Sequence, residues 1–382
     1  MIRVLFFCEF GIRNGGENSL LAVLPHLVKM GIEPVVAAPS PSELTEQLQS
    51  LGIQAIAWDP QAVKGSANSV AERRRLIQQL VETVKPSLVH ANSLAMGRLC
   101  GPVARQMGVG SIGHLRDMMN LSQQAIADLN CHHRLLAVSE ATRDWYSERG
   151  VHSQRLQVVY NGIDLEQFSP RTPESSLQQE LGLPVETPIL GGVGQIGLRK
   201  GWEIVLQAMQ QVREQHPKVH LTIVGERHSR KQEAIDYHHH LTELANQPGL
   251  NGYVHFLGRR DDVACLLNQW VLLVHPARQE PLGRVLLEAA ASGCPVVATE
   301  VGGTREIFPS PADGGLLVPA EASEELANAV CQVLASPSLR SSLSEGGRQR
   351  AVDGFGVSES ASELLQHYKA VASDITSAED LS

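Results

Sequence analysis

The strongest constraint on this chain is the alternation of strand-like apolar runs with helix-like segments. Ile2–Cys8, Pro34–Ala38, Gln54–Ala57, Leu88–Ala91, Ser111–His114, Leu135–Val138 and Leu156–Tyr160 read as strands. Amphipathic stretches such as Ser19–Met30 and Ala71–Val84 lie between them. Such alternation predicts a parallel sheet covered by helices on both faces. The chain has 382 residues, more than one ordinary core holds, so two α/β domains are expected. Ligands of such sheets bind beyond the carboxyl ends of the strands, so the residues after each strand are the ones that matter.

The first domain is expected over 1–165, closed by Val159-Tyr160-Asn161-Gly162-Ile163-Asp164, where Asn-Gly supplies a turn. Pro170, Pro173 and Pro184 among polar residues place an interdomain linker at Ser169–Glu186. The second domain follows over 186–358. Helical spacing of Leu, Val and Ala continues from Ser323 to about Tyr368, and the polar end from Ser373 is expected to fray.

Composition narrows the class of function. Hydrophobic content of 43% against 19% charged is that of a globular protein. No apolar run reaches the roughly 18–20 residues that span a bilayer, and MIRVLFFCEF reads as a first strand rather than a signal peptide. The six cysteines are scattered without a C-x2-C pair, as expected of free thiols in the reducing cytoplasm. A net charge of −9 argues against a nucleic-acid partner. It is unevenly spread: residues 1–165 hold 15 Lys+Arg against 14 Asp+Glu, and the remainder 17 against 27. Arg73-Arg74-Arg75 is then either a weak peripheral contact with an anionic membrane face or a solvated helix face.

Four strand ends carry chemistry. Gly11 to Glu17, with adjacent Gly15 and Gly16 before a helix, is either a close approach to a phosphate or sugar or a tight turn. His114-Leu115-Arg116-Asp117 ends the fifth strand; His114 is either a ligand contact or a satisfied structural residue, and Arg116 meets an acceptor or a phosphate or pairs with Asp117. Ser139 is a cleft residue or a helix N-cap. Further on, Gly192-x-Gly194-x-x-Gly197 matches the dinucleotide fingerprint, but its acidic partner, Glu226, stands 29 residues past Gly197, later than that fingerprint wants. Arg199 and Lys200 follow instead, two cations suited to a diphosphate. Tyr237-His238-His239-His240 cannot converge on one metal ion from a helix.

The richest stretch is His275 to Ile307. Glu280 is expected in a loop before the helix Val285–Ala291 and Glu288 in an early turn of it. Gly293-Cys294-Pro295 breaks that helix, and Val296–Ala298 reads as a buried strand. The amides of a helix start form an anion site, and a carboxylate on each side is placed to grip hydroxyls flanking a diphosphate.

With its Pro-Leu-Gly-Arg, Leu-Leu-Glu-Ala and Gly-Cys-Pro-Val-Val context and Gly302-Gly303, this stretch resembles the Glu-x7-Glu signature of GT4-type retaining glycosyltransferases. The resemblance covers most of the chain, strongly over 188–307 and thinly over 1–165. It implies a GT-B fold: two Rossmann-like doubly wound parallel-sheet domains facing across a cleft, with the last helix, about 360–382, packed back on the first. It implies a nucleotide-sugar donor, an acceptor hydroxyl of unknown identity, retention of configuration, and no metal or other cofactor. The absence of any Asp-x-Asp points the same way on the metal. By resemblance Glu280 holds the donor sugar, Glu288 the ribose diol, and His114 reaches the sugar. Lys200 and Arg199 would take the charge of the diphosphate, Arg199 in place of the arginine usual where Gln195 stands. Gly15, Gly16, Gly194, Gly283, Arg284 and Val285 are the remaining expected donor contacts, with Arg259 on the base side. A GT-B-like nucleotide-sugar epimerase, an NAD-dependent oxidoreductase and a non-catalytic sugar-binding homologue stay open.

Overall fold

The protein is described here from a computed structural model, covering residues 2–59, 69–173 and 175–379, with side chains through residue 374. It forms two compact units, Met1–Gly162 with Gly356–Ser382, and Ile163–Phe355.

The first unit holds β1 (Ile2–Phe7), β2 (Ile32–Ala38), β3 (Gln54–Ala57), β4 (Leu88–Ala91), β5 (Gly110–Leu115), β6 (Arg134–Ala137) and β7 (Leu156–Val158). They pair in parallel in the order β3-β2-β1-β4-β5-β6-β7. The two-residue period of β1 sorts its side chains. Val4, Phe6 and Cys8 meet Leu20, Leu24 and Leu27 of helix Gly15–Lys29, together with Val357, Ala361, Leu364 and Tyr368 of the final helix, Val357–Glu379. Leu5 and Phe7 face the other way, against Ile77 and Val81 of helix Val70–Val84 and Met96, Leu99 and Val103 of helix Leu94–Met107. Burial of a side chain of this size is worth about 1.5–3 kcal/mol, which secures a sheet covered on both faces.

The second unit repeats the plan with β8 (Ile189–Val193), β9 (His220–Val224), β10 (Val254–Gly258), β11 (Leu272–His275), β12 (Val296–Thr299) and β13 (Gly315–Val318). All pair in parallel in the order β10-β9-β8-β11-β12-β13. In each unit the strand order reverses beside its first strand, between β1 and β4 and between β8 and β11. Loops diverge there and leave room for a ligand.

Three expectations are revised. Ser169–Glu186 is not a free linker: its described residues include helix Leu177–Glu180 and belong to the second unit. Arg171 N donates to Asn268 Oδ1 at 2.8 Å and Leu177 N to Gln269 Oε1 at 2.6 Å, which fastens the stretch to the unit. The crossing lies earlier, at Gly162–Ile163, and the return at Phe355–Gly356. The polar end does not fray at Ser373, since the final helix runs to Glu379; positions 380–382 of the expected tail lie outside the described residues. Arg74 is not a solvated cation but pairs with Asp128 at 2.7 Å and donates to Arg98 O at 3.0 Å, tying its helix to the neighbouring ones.

Candidate functional site

In the second unit the loops after β8 and β11 are laced together. Arg278 N donates to Arg199 O at 2.9 Å, Arg278 Nη1 to Leu198 O at 2.7 Å and Arg199 Nη1 to Gln279 O at 3.3 Å. Arg278 also pairs with Glu203 and Glu321. This lacing brings together Lys200 and Glu280, 80 positions apart: Lys200 Nζ donates to Glu280 Oε2 at 2.5 Å. His275, the last residue of β11, donates to the same oxygen from Nε2 at 2.9 Å. No hydrogen bond falls on Oε1 among the described residues.

The electrostatics follow from burial. Glu280 is 7% exposed. Desolvation alone would raise its carboxyl, but Lys200, then His275 and Arg199, outweigh it and hold the group well below the usual carboxylate range. His275 is lowered, first by burial and then by Lys200, so its ring is neutral near pH 7. Its proton sits on Nε2, facing the carboxylate, and Nδ1 is buried without a partner among the described residues. Thus one anionic oxygen is fixed by two donors and the other is left for a ligand hydroxyl.

The turn into helix Arg284–Ala291 is shaped by Gly283 at φ 102°, and no side chain caps the helix. The amides of its first turn, Val285 included, are therefore directed at whatever lies before it. Gly302 and Gly303 wrap the backbone of Glu280; Gly303 N donates to Glu280 O at 3.0 Å, and a Cβ on Gly302 would lie 2.0 Å from that oxygen. Glu288 pairs with Arg284 at 2.7 Å, four residues back on the same helix face. Gly194 packs under the Lys200 stem, where a Cβ would lie 3.2 Å from Cε. Gly197, third of the fingerprint glycines, meets nothing within 4 Å at a Cβ position, so it does not serve the close helix–strand packing that a dinucleotide fold asks of it. Arg259 stands apart: it follows the edge strand β10, with β9 between it and β8, and pairs with Asp261 at 3.7 Å.

In the first unit His114 is 3% exposed at the end of β5. Arg116 does not pair with Asp117 among the described residues. It donates to Asn161 Oδ1 at 2.6 Å, Asn92 Oδ1 at 3.0 Å, Asn92 O at 3.1 Å and His114 Nδ1 at 3.2 Å. Gly16 lies against it: a Cβ there would lie 3.1 Å from Arg116 Cδ, whereas Gly15 opens helix Gly15–Lys29 with free space around it. Glu17, in the first turn, is buried and pushed up to about 7, chiefly by desolvation. Ser139 is an N-cap, accepting from Thr142 N at 3.0 Å.

Sequence reasoning did not single out His275, Arg278, Asn92 or Glu17 as site residues. The one signal for His275 and Asn92 was position, each standing at or just after a strand end beside a switch point. No sequence pattern announces Arg278.

Two family models match in succession, Glycosyltransferase Family 4 over residues 13–167 and Glycosyl transferases group 1 over residues 174–350. A D-inositol 3-phosphate glycosyltransferase of Corynebacterium urealyticum is 29% identical over 226 residues, 58% of this chain and 52% of that protein. Spore coat protein SA of Bacillus subtilis is 29% identical over 230 residues, 56% of this chain and 59% of that protein. The matches thus span little more than half the length of these relatives. Among solved structures, Anabaena Alr3699/HepE in complex with UDP-glucose superposes with a TM-score of 0.85 at 22% identity, covering 97% of this chain and 100% of that one. Sucrose-phosphate synthase from Thermosynechococcus elongatus superposes with a TM-score of 0.82 at 21% identity, covering 98% and 100%. These likenesses show the fold.

Proposed function

The chain belongs to the group 1 glycosyltransferases of GT4 type, with the GT-B fold, and from that premise we propose that it moves a sugar from a nucleoside-diphosphate donor to a hydroxyl acceptor. The observation that carries the proposal is the buried Lys200–Glu280–His275 cluster beside an uncapped helix start. Glu280 Oε1 accepts from a hydroxyl of the donor sugar. Lys200 keeps two ammonium hydrogens for phosphate oxygens, and Arg199 adds a second positive charge. The amides ahead of Val285, at the positive end of a helix dipole, face the negative charge that grows as the sugar–phosphate bond breaks. Glu288, held by Arg284, receives the ribose diol. Charge is thus neutralised by fixed protein groups and needs no divalent ion. Retention of configuration rests on the family resemblance.

Alr3699/HepE was solved with UDP-glucose, which makes uridine nucleotides the first donors to try. UDP, GDP, ADP and NAD are each added with EDTA present and thermal unfolding is followed. A nucleoside diphosphate should raise Tm, since a ligand at one hundred times its Kd adds about 2.7 kcal/mol. A response to NAD alone, or to diphosphates only once magnesium is restored, overturns the proposal.

A further inference from the structure

Behind His114 two buried groups, His90 and Tyr368, form a string of hydrogen bonds that runs to the last helix. We infer that Tyr368 and His90, together with Arg116, hold the ring proton of His114 on Nε2 and so present His114 to the substrate as a hydrogen-bond donor, not as a base. The inference rests on the proposed function, read with the family resemblance that brings His114 to the donor sugar.

The polarity of the string is forced by what its ends can do. Arginine has only donors, and Arg116 Nη2 lies 3.2 Å from His114 Nδ1, so that nitrogen is a bare acceptor. Burial, reinforced by the Arg116 charge, keeps the His114 ring neutral, and its one proton is then on Nε2. His90 Nε2 stands 3.4 Å from the same Nδ1. Two facing lone pairs would repel, so His90 carries its proton on Nε2 as well and leaves its own Nδ1 bare. The Tyr368 hydroxyl, 2.7 Å from His90 Nδ1, is therefore the donor there. Stacking holds the rings in line: Phe6 lies 5.0 Å from His90, and His90 lies 5.5 Å from His114, at interplanar angles of 29° and 27°. Asn92 and Asn161 fix Arg116 in turn. At the free end the His114 Nε2 hydrogen is buried and meets no partner among the described residues. A buried donor left unmade carries a desolvation cost that an incoming acceptor relieves. A substrate hydroxyl or ring oxygen is the partner such a donor takes. Tyr368 and His90 are positioning residues, acting through His114 from 254 and 24 positions away.

The protonation pattern is read by two-bond nitrogen–proton spectra of the full chain labelled with 15N-histidine, the signals assigned with His90→Gln and His114→Gln. Both rings should be neutral with the proton on Nε2. Tyr368→Phe keeps the aromatic packing, so Tm should hold, but the bare nitrogen of His90 should shift as it loses its donor. A wild-type His114 protonated on Nδ1, or a His90 signal unmoved by Tyr368→Phe, overturns the inference. Turnover of UDP-glucose gives the functional arm. Glutamine can donate but cannot serve as a base, so His114→Gln should stay within about tenfold of wild type, while His114→Leu should lose the roughly 10²–10³-fold typical of a removed transition-state donor. Equal loss in both sinks the donor role. Full turnover in both sinks it too, whereas no turnover in the wild type counts against the proposed function instead, and the spectra still decide the string.

Discussion

At the scale of single residues the central object is an ion pair with little water around it. The Lys200 and Glu280 side chains are 12% and 9% exposed, so removing one partner strands a buried charge. Lys200→Met should therefore cost about 3–5 kcal/mol of stability, whereas Lys200→Met combined with Glu280→Gln should recover most of it, because no charge is left uncompensated. Neither variant should bind UDP. Thermal unfolding and UDP titration of the single and double variants check both halves, and a double variant no more stable than the single one would show that the charge is not the cause. The pH dependence has a defined sign. A carboxyl depressed in the folded state stabilises above its unfolded pKa, and that contribution is lost as pH falls through the folded value. Without Lys200 desolvation is less opposed and the Glu280 carboxyl rises. The stability gap between wild type and Lys200→Met should therefore narrow between pH 7 and pH 4. Either residue could be picked out by its place after a strand, but their pairing could not, because it follows from β8 lying beside β11, a neighbourhood 80 residues of chain away. His275 was hidden for a related reason: one histidine at the end of an apolar strand has no period or spacing to mark it.

At the scale of elements, the helix Arg284–Ala291 takes its position from the turn before it. Gly283 adopts φ 102°, and a Cβ there would come within 2.6 Å of Leu286 Cδ1. Gly283→Ala must strain the backbone or shift the helix start, at about 1–3 kcal/mol. The shift would also turn the Val285 amide away from its target. The expected result is a lower Tm together with UDP affinity weakened more than tenfold; unchanged affinity at lowered Tm would show that the helix start is not an anion site. Elements of this kind were largely readable beforehand. The seven strands of the first unit, the glycine-bounded helix and strand Val296–Thr299 all follow from apolar runs punctuated by turn residues, and their observed ends differ from expectation by a residue or two. What reading the chain did not reach has a physical reason. Leu272–His275 is a four-residue strand with no glycine or turn cluster before it, and Gly315–Val318 is a four-residue edge strand that begins on the second of two glycines. The prolines of 169–186 suggested a linker because their polar context says nothing of Asn268 and Gln269, almost one hundred positions on, which bind that stretch.

At the scale of the whole molecule, the two units differ in how the chain builds them. The second is one continuous segment, Ile163–Phe355, while the first closes only with Gly356–Ser382 added. Val357, Ala361, Leu364, Tyr368 and Val371 fill the core of the first unit from that final helix. A chain cut after Phe355 should lose them all, and with each buried side chain worth about 1.5–3 kcal/mol the loss rivals the whole stability of an ordinary domain. The second unit gives up nothing in the same cut, and Lys200, His275, Glu280, Gly283 and Glu288 all lie within it. Expressed alone, residues 163–355 should fold cooperatively and still gain Tm from UDP, whereas residues 1–355 should show hydrogen exchange lost across β1, β4 and β5 but kept across β8, β11 and β12. Uniform loss of protection in the truncated chain would mean that the units fold as one. A folded 163–355 indifferent to UDP would mean that the nucleotide needs residues outside this segment, and the cluster around Glu280 would then be an incomplete account of donor binding.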